Sequence, residues 1–172
     1  MLARIVLTAA LVLTVAACST SPQQIRLVDT KGPVQLLRNE AWFRLPALMV
    51  KGDSDTTDVS VACKGAESGR LRYWTSSTIA LLNNSFAPRA VVLADDLATS
   101  FEQQGWAVER DEAGVATVTT LTRPESFAVI EIEARTKTTE HRASVRITTS
   151  GPCVETDGAD SAEVRLLEDS VR

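Results

Sequence analysis

The sequence predicts an α+β fold, a two-layer sandwich in which one main amphipathic helix packs on an antiparallel β-sheet. Two observations carry that prediction. Between residues 88 and 104, Ala90, Leu93, Ala94, Leu97, Ala98 and Phe101 recur at three-four spacing, while Asp95, Asp96, Thr99, Glu102 and Gln103 take the other side. That is a helix with one buried face. Four β-rich runs follow, at 106–109, 114–122, 127–134 and 143–149, with short turns expected at 111–113, 123–125 and 137–140. Connections of that length force antiparallel neighbours.

In chain order, residues 34–45 carry apolar side chains at Val34, Leu37 and Ala41 with Trp42 and Phe43 after them, and predict a short helix stopped before Pro46. KGDSDTTD (51–58) reads as a loop. Residues 59–63 and 70–82 alternate or are rich in Val, Thr, Ile and aromatics, and predict two strands. Pro88 stands where a first helical residue belongs and Gly105 where a C-terminal cap belongs. In the last strand Ala143, Val145 and Ile147 face one way and Ser144, Arg146 and Thr148 the other, so one sheet face is expected to carry the helix and the other to meet water. Residues 155–172 form an acidic tail, in which Val164, Leu166 and Leu167 support a helical turn capped by Ser161, with disorder as the alternative.

The N-terminus follows a different pattern. Arg4 precedes an apolar run that ends at the small residues Ala16 and Ala17, too short to span a bilayer and laid out like a secretory leader. Val15-Ala16-Ala17-Cys18 resembles the lipobox of bacterial lipoproteins. The resemblance implies diacylglycerol on the Cys18 sulfur and cleavage ahead of it, with a signal peptide over 1–17 and a flexible tether over 18–33. The single domain then spans 34–154 and the acidic tail 155–172.

Three cysteines are an odd count for an exported chain. With Cys18 engaged by lipid, Cys63 and Cys153 remain to pair as a disulfide in an oxidising compartment. The chain has 172 residues, 44% hydrophobic and 23% charged, with a formal net charge of −4. One domain with a real core fits that length. No basic run is present, which argues against nucleic acid as a partner. Membrane residence is expected from acyl chains, facing the extracytoplasmic side.

The stretch from residue 59 to 154 holds a cysteine ahead of the main helix, Gly105-Trp106 at its end, a meander, and Ser150-Gly151-Pro152-Cys153. In these features it resembles small cell-envelope lipoproteins of actinobacteria, including the mycobacterial LppA type. The resemblance implies fold and location and carries over no catalytic residue.

Catalytic chemistry finds little support. His141 is the only histidine and lies in a turn between Glu140 and Arg142, so neither serine catalysis nor a zinc site is expected. Asp53, Asp55 and Asp58 resemble an oxygen cage for calcium, yet lack the glycine and glutamate of an EF-hand loop. Asp95 and Asp96 are adjacent on a helix and do not face each other. Glu131 and Glu133 share a strand face about 7 Å apart, but same-face acids on a solvated sheet are common. Tyr73 and Trp74 must point to opposite faces, one into the core.

No catalytic residue, metal or cofactor is therefore expected. The sequence favours a monomeric, non-enzymatic binding or interaction module on the outer face of the cytoplasmic membrane, with an envelope protein as partner. The alternative is a carrier holding a lipid or other apolar ligand between helix and sheet, beneath Ala90, Ala94 and Ala98, with Trp42, Phe43 and Trp106 as filler where the interior is packed. An envelope hydrolase comes third.

Overall fold

The computed structural model describes residues 25–50, 55–66, 69–113, 116–139 and 142–170. The main helix, α2 (Ala90–Glu102), follows a 3-10 turn at Ala87–Arg89 that contains Pro88. Ala90, Leu93, Ala94, Leu97, Ala98 and Phe101 are all buried, as their spacing predicts. The helix ends where Gly105 adopts φ +88°, a conformation that costs glycine alone little. Trp106 turns back edge-on against Phe101, ring centroids 5.7 Å apart.

Seven strands form one antiparallel sheet: β1 (Thr56–Ala62), β2 (Leu71–Leu81), β3 (Ala107–Ala113), β4 (Ala116–Thr122), β5 (Val129–Arg135), β6 (Ser144–Ser150) and β7 (Val154–Glu155). Their spatial order is β1-β2-β6-β5-β4-β3, with β7 also on β2. The chain leaves β2, crosses through α2 to the far edge, and meanders back until β6 lies beside β2. The turn expected at 111–113 is instead strand: β3 runs on until Ala113 pairs with Ala116, because Asp111 and Glu112 sit on an outer strand where charge is tolerated.

β6 and β7 share one lane along β2, broken at Gly151-Pro152-Cys153. Cys153 is bonded to Cys63, with Cα atoms 6.1 Å apart and 90 residues of sequence separation. The bond ties the end of β1 to this break.

Two expectations for the ends of the chain need correction. The first helix, α1 (Leu27–Phe43), starts seven residues before Val34 and takes in the end of the expected tether, with Pro33 inside it. A proline in a helix interior costs about 3 kcal/mol in isolation. Here packing overrides it, because Leu27, Thr30, Val34 and Ala41 form a buried stripe against the sheet. A Cβ on Gly151 would stand 3.1 Å from the Thr30 Cβ, so glycine at the β6–β7 break lets α1 come down onto the backbone. Thr149 Oγ1 then donates to the Val34 carbonyl at 2.8 Å.

The expected acidic tail is likewise built into the fold. Helix α3 (Ala162–Asp169) buries Val164 and Leu167, and the Ser161 hydroxyl caps it by accepting from the Val164 N–H.

The register places Ser60, Trp74, Ser76, Thr78, Ala80, Val145, Ile147, Ile132, Ile130 and Leu121 on one sheet face. All three helices lie side by side over that face. Beneath α2 the core is Leu, Ile, Val, Ala, Phe101 and Trp106. Beneath α1 and α3 it is Leu27, Val34, Trp74, Ala128, Val154, Val164 and Leu167. Leu37 packs against both. The α+β sandwich of the sequence is thus observed, with α1 and α3 beside the main helix α2 in its second layer.

The outer strands differ. β3 reads AVERDEA. On β1, the Ser60 N–H donates to Glu168 Oε1 of α3 at 3.3 Å.

Candidate functional site

α1 is apolar on two sides. Opposite its buried stripe, Val28, Gly32, Leu36 and Phe43 follow four- or seven-residue spacing and are exposed, as are Ile25 just ahead of the helix and Leu48 in the 3-10 turn at Ala47–Met49. Leu36, Phe43 and Leu48 are 70%, 82% and 88% exposed. Phe43, expected as filler for the interior, points away from it because the buried stripe runs through Ala41 instead.

Two apolar hollows open along this side. One, of about 310 Å³, is lined by Trp42, Phe43, Leu45, Ala47 and Val50. The other, of about 320 Å³, lies between Pro33, Leu36, Leu37 and Glu40 of α1 and residues 125–128. The carboxylates on the outward side are each matched by an arginine. Asp29 accepts from the Arg26 N–H at 3.1 Å and from its Nε at 3.2 Å. Hydrogen bonds from the Arg26 side chain, then its backbone, hold the Asp29 carboxyl below its ordinary range. Glu40 pairs with Arg44. Beside the second hollow, Arg123 lowers the Glu125 carboxyl in the same way.

Arg44 also locks the end of α1 to α2, lying 3.9 Å over the Phe101 ring and donating to the Ser100 carbonyl at 3.0 Å. Lys31 does comparable work at the other end. Its Nζ sits 4.7 Å over the Trp74 ring and donates to the Leu167 carbonyl and the Ser170 hydroxyl. These contacts fix the orientation of α1 and therefore the direction its outward residues face.

Of the residues singled out from sequence, Cys18, Asp53 and His141 lie outside the described residues. Cys63 and Cys153 are joined. Asp55 is exposed, whereas Asp58 points inward at Arg38 NH2, 3.7 Å away, with its side chain 5% exposed. Arg38 also donates to Ser76 at 3.1 Å, so Asp58 belongs to the seam between α1 and β1–β2. Asp95 pairs with Arg110. Glu133 is held by Arg135 at 2.6 Å and Arg146 at 3.7 Å, while Glu131 is exposed beside it. Trp74 is the core member of its pair, and Tyr73 lies half-exposed on the uncovered sheet face.

The outward stripe of α1 is what sequence reasoning missed. Its spacing is visible from Val28 to Phe43, but a helix apolar on two sides loses the contrast that makes amphipathic helices legible. No family model, curated protein or solved structure matches the chain. Among the described residues no helix is long and apolar enough to cross a membrane.

Proposed function

We propose that this chain is an exported lipoprotein, held by lipid on Cys18 at the outer face of the cytoplasmic membrane, and that its domain works by binding rather than by catalysis. The observation that carries the binding reading is the exposed apolar side of α1, with Leu36, Phe43 and Leu48 beside two apolar hollows. A monomeric domain leaves so much apolar surface uncovered where something else is meant to cover it.

The carrier alternative places its ligand beneath α2. Ala90, Ala94 and Ala98 are at most 3% exposed there and belong to a packed apolar cluster, which supports contact at the surface instead. A hydrolase needs a nucleophile held beside a base. Glu133, the more enclosed acid of the Glu131–Glu133 pair, is engaged by two arginines, which supports the non-enzymatic reading.

Two experiments test the proposal. Radiolabelled palmitate should enter the parent chain and be lost from Cys18→Ala; equal labelling removes the anchor. Phe43→Ser combined with Leu48→Ser should abolish most enhancement of 8-anilinonaphthalene-1-sulfonate fluorescence while leaving near-ultraviolet circular dichroism unchanged. Undiminished dye binding would place the exposed apolar surface elsewhere.

A further inference from the structure

We infer that the partner of this surface is the bilayer itself: the outward side of α1, with Leu48 just beyond its end, lies flat on the membrane surface. Three independent features converge on it. The first is shape. Val28, Leu36 and Phe43 lie on one side of a 17-residue helix, a length of about 25 Å, and Leu48 is exposed just past the helix end. An in-plane helix of this kind buries its apolar side to a depth of about 5–10 Å at the headgroup boundary. Arg44 and Lys31, anchored to α2, Trp74 and α3, hold α1 with that side outward.

The second feature is charge. On the outward side Asp29 and Glu40 are each paired with an arginine, so neither faces the membrane uncompensated. Lys31 and Arg38 turn inward instead, toward Trp74 and Asp58.

The third feature is reach. Six residues separate Cys18 from Ile25, and the seven Cα-to-Cα steps between them span at most about 25 Å when fully extended. An anchor so close keeps α1 beside the bilayer and allows it to lie along the surface. This placement rests on the reading of Cys18 as the lipid site. With the helical layer against lipid, the opposite sheet face, with Tyr73, Thr148 and Glu131, looks into the envelope.

Brominated-lipid quenching tests the orientation. The full chain, expressed with its own leader and purified, is reconstituted into vesicles of phosphatidylcholine and phosphatidylglycerol, with and without bromine on the acyl chains. Tryptophan is introduced by Leu36→Trp, Phe43→Trp or, on the opposite sheet face, Thr148→Trp, and each is read against the parent chain. Insertion at the headgroup boundary should give the first two roughly twofold more quenching than Thr148→Trp.

Equal quenching of all three, or none at Leu36→Trp and Phe43→Trp, overturns the inference. Palmitate labelling of the same preparation separates the two questions. A labelled chain without selective quenching keeps the anchor and removes the contact face. An unlabelled chain with selective quenching keeps the contact face and removes the anchor.

Discussion

Beneath α2 the helical layer is held by apolar side chains, and beneath α1 and α3 by a mixture of apolar and charged contacts. Ile130, Ile132, Leu121, Val145 and Ile147 meet Leu93, Leu97 and Phe101 in the first region. In the second, Lys31 covers Trp74 and binds the end of α3, and Arg38 reaches Asp58 and Ser76. Apolar packing is non-directional and sums over area, whereas charged contacts fix orientation and leave steep penalties where a partner is lost. The difference teaches that α2 supplies stability and α1 supplies direction.

The sharpest break in this comparison is the disulfide, whose Cys153 lies between Gly151, against which α1 packs, and Val154 of the core beneath α1 and α3. Cys63→Ser with Cys153→Ser opens a closure of 90 residues, worth about 4–5 kcal/mol by chain entropy. Guanidinium melts should show that loss. Hydrogen exchange should place the earliest opening at α1 and α3 rather than at β4 and β5.

Leu97→Ala probes the other region and should cost about 2–5 kcal/mol, since the side chain is buried in a packed cluster. Asp96→Ala on the same helix but exposed should cost well under about 1 kcal/mol. Comparable losses in urea melts would mean that α2 packs by another face.

Lys31→Met keeps the aliphatic stem and removes the charge over Trp74, for an expected cost of about 1.5–3 kcal/mol. Its mark is local: amide protection should fall across α3 and leave α2 untouched. Uniform loss of protection would merge the two regions into one cooperative unit.

The smallest effect concerns pH. Arg26 holds the Asp29 carboxyl below its ordinary range in the folded chain. The pair therefore contributes stability above the unfolded carboxylate pKa, and loses it as pH falls through the lower folded value. Arg26→Ala should move the Asp29 titration, followed by NMR, up toward an ordinary aspartate; an unmoved midpoint would rule Arg26 out as the cause.

Legibility from sequence follows the same division. The stripe from Ala90 to Phe101 and the strands from β4 to β6 could be read because each has one buried face and short connections, whereas β3, exposed from 107 to 112, showed only as the segment leading out of the helix. The strand at Leu71–Leu81 was legible as an element, but its place beside β6 was not, since that pairing joins residues far apart in sequence. α1 was half hidden. Pro33 and Gly32 read as tether, and the seat that stabilises the helix, Gly151, lies more than a hundred residues downstream. The outward stripe escaped because a second apolar side erases amphipathic contrast. The pairing of Cys63 with Cys153 was reached by counting, not by geometry.

The outer strands carry a consequence of their own. An open sheet exposes rows of unpaired backbone groups that invite a second copy to add on, ending in fibrils rather than dimers. Here one margin is the charged sequence AVERDEA, where a matching strand would set like charges against each other. The other is blocked in part by Glu168, which takes up the Ser60 N–H. A second copy that met this sheet edge to edge would find one margin charged and the other partly occupied.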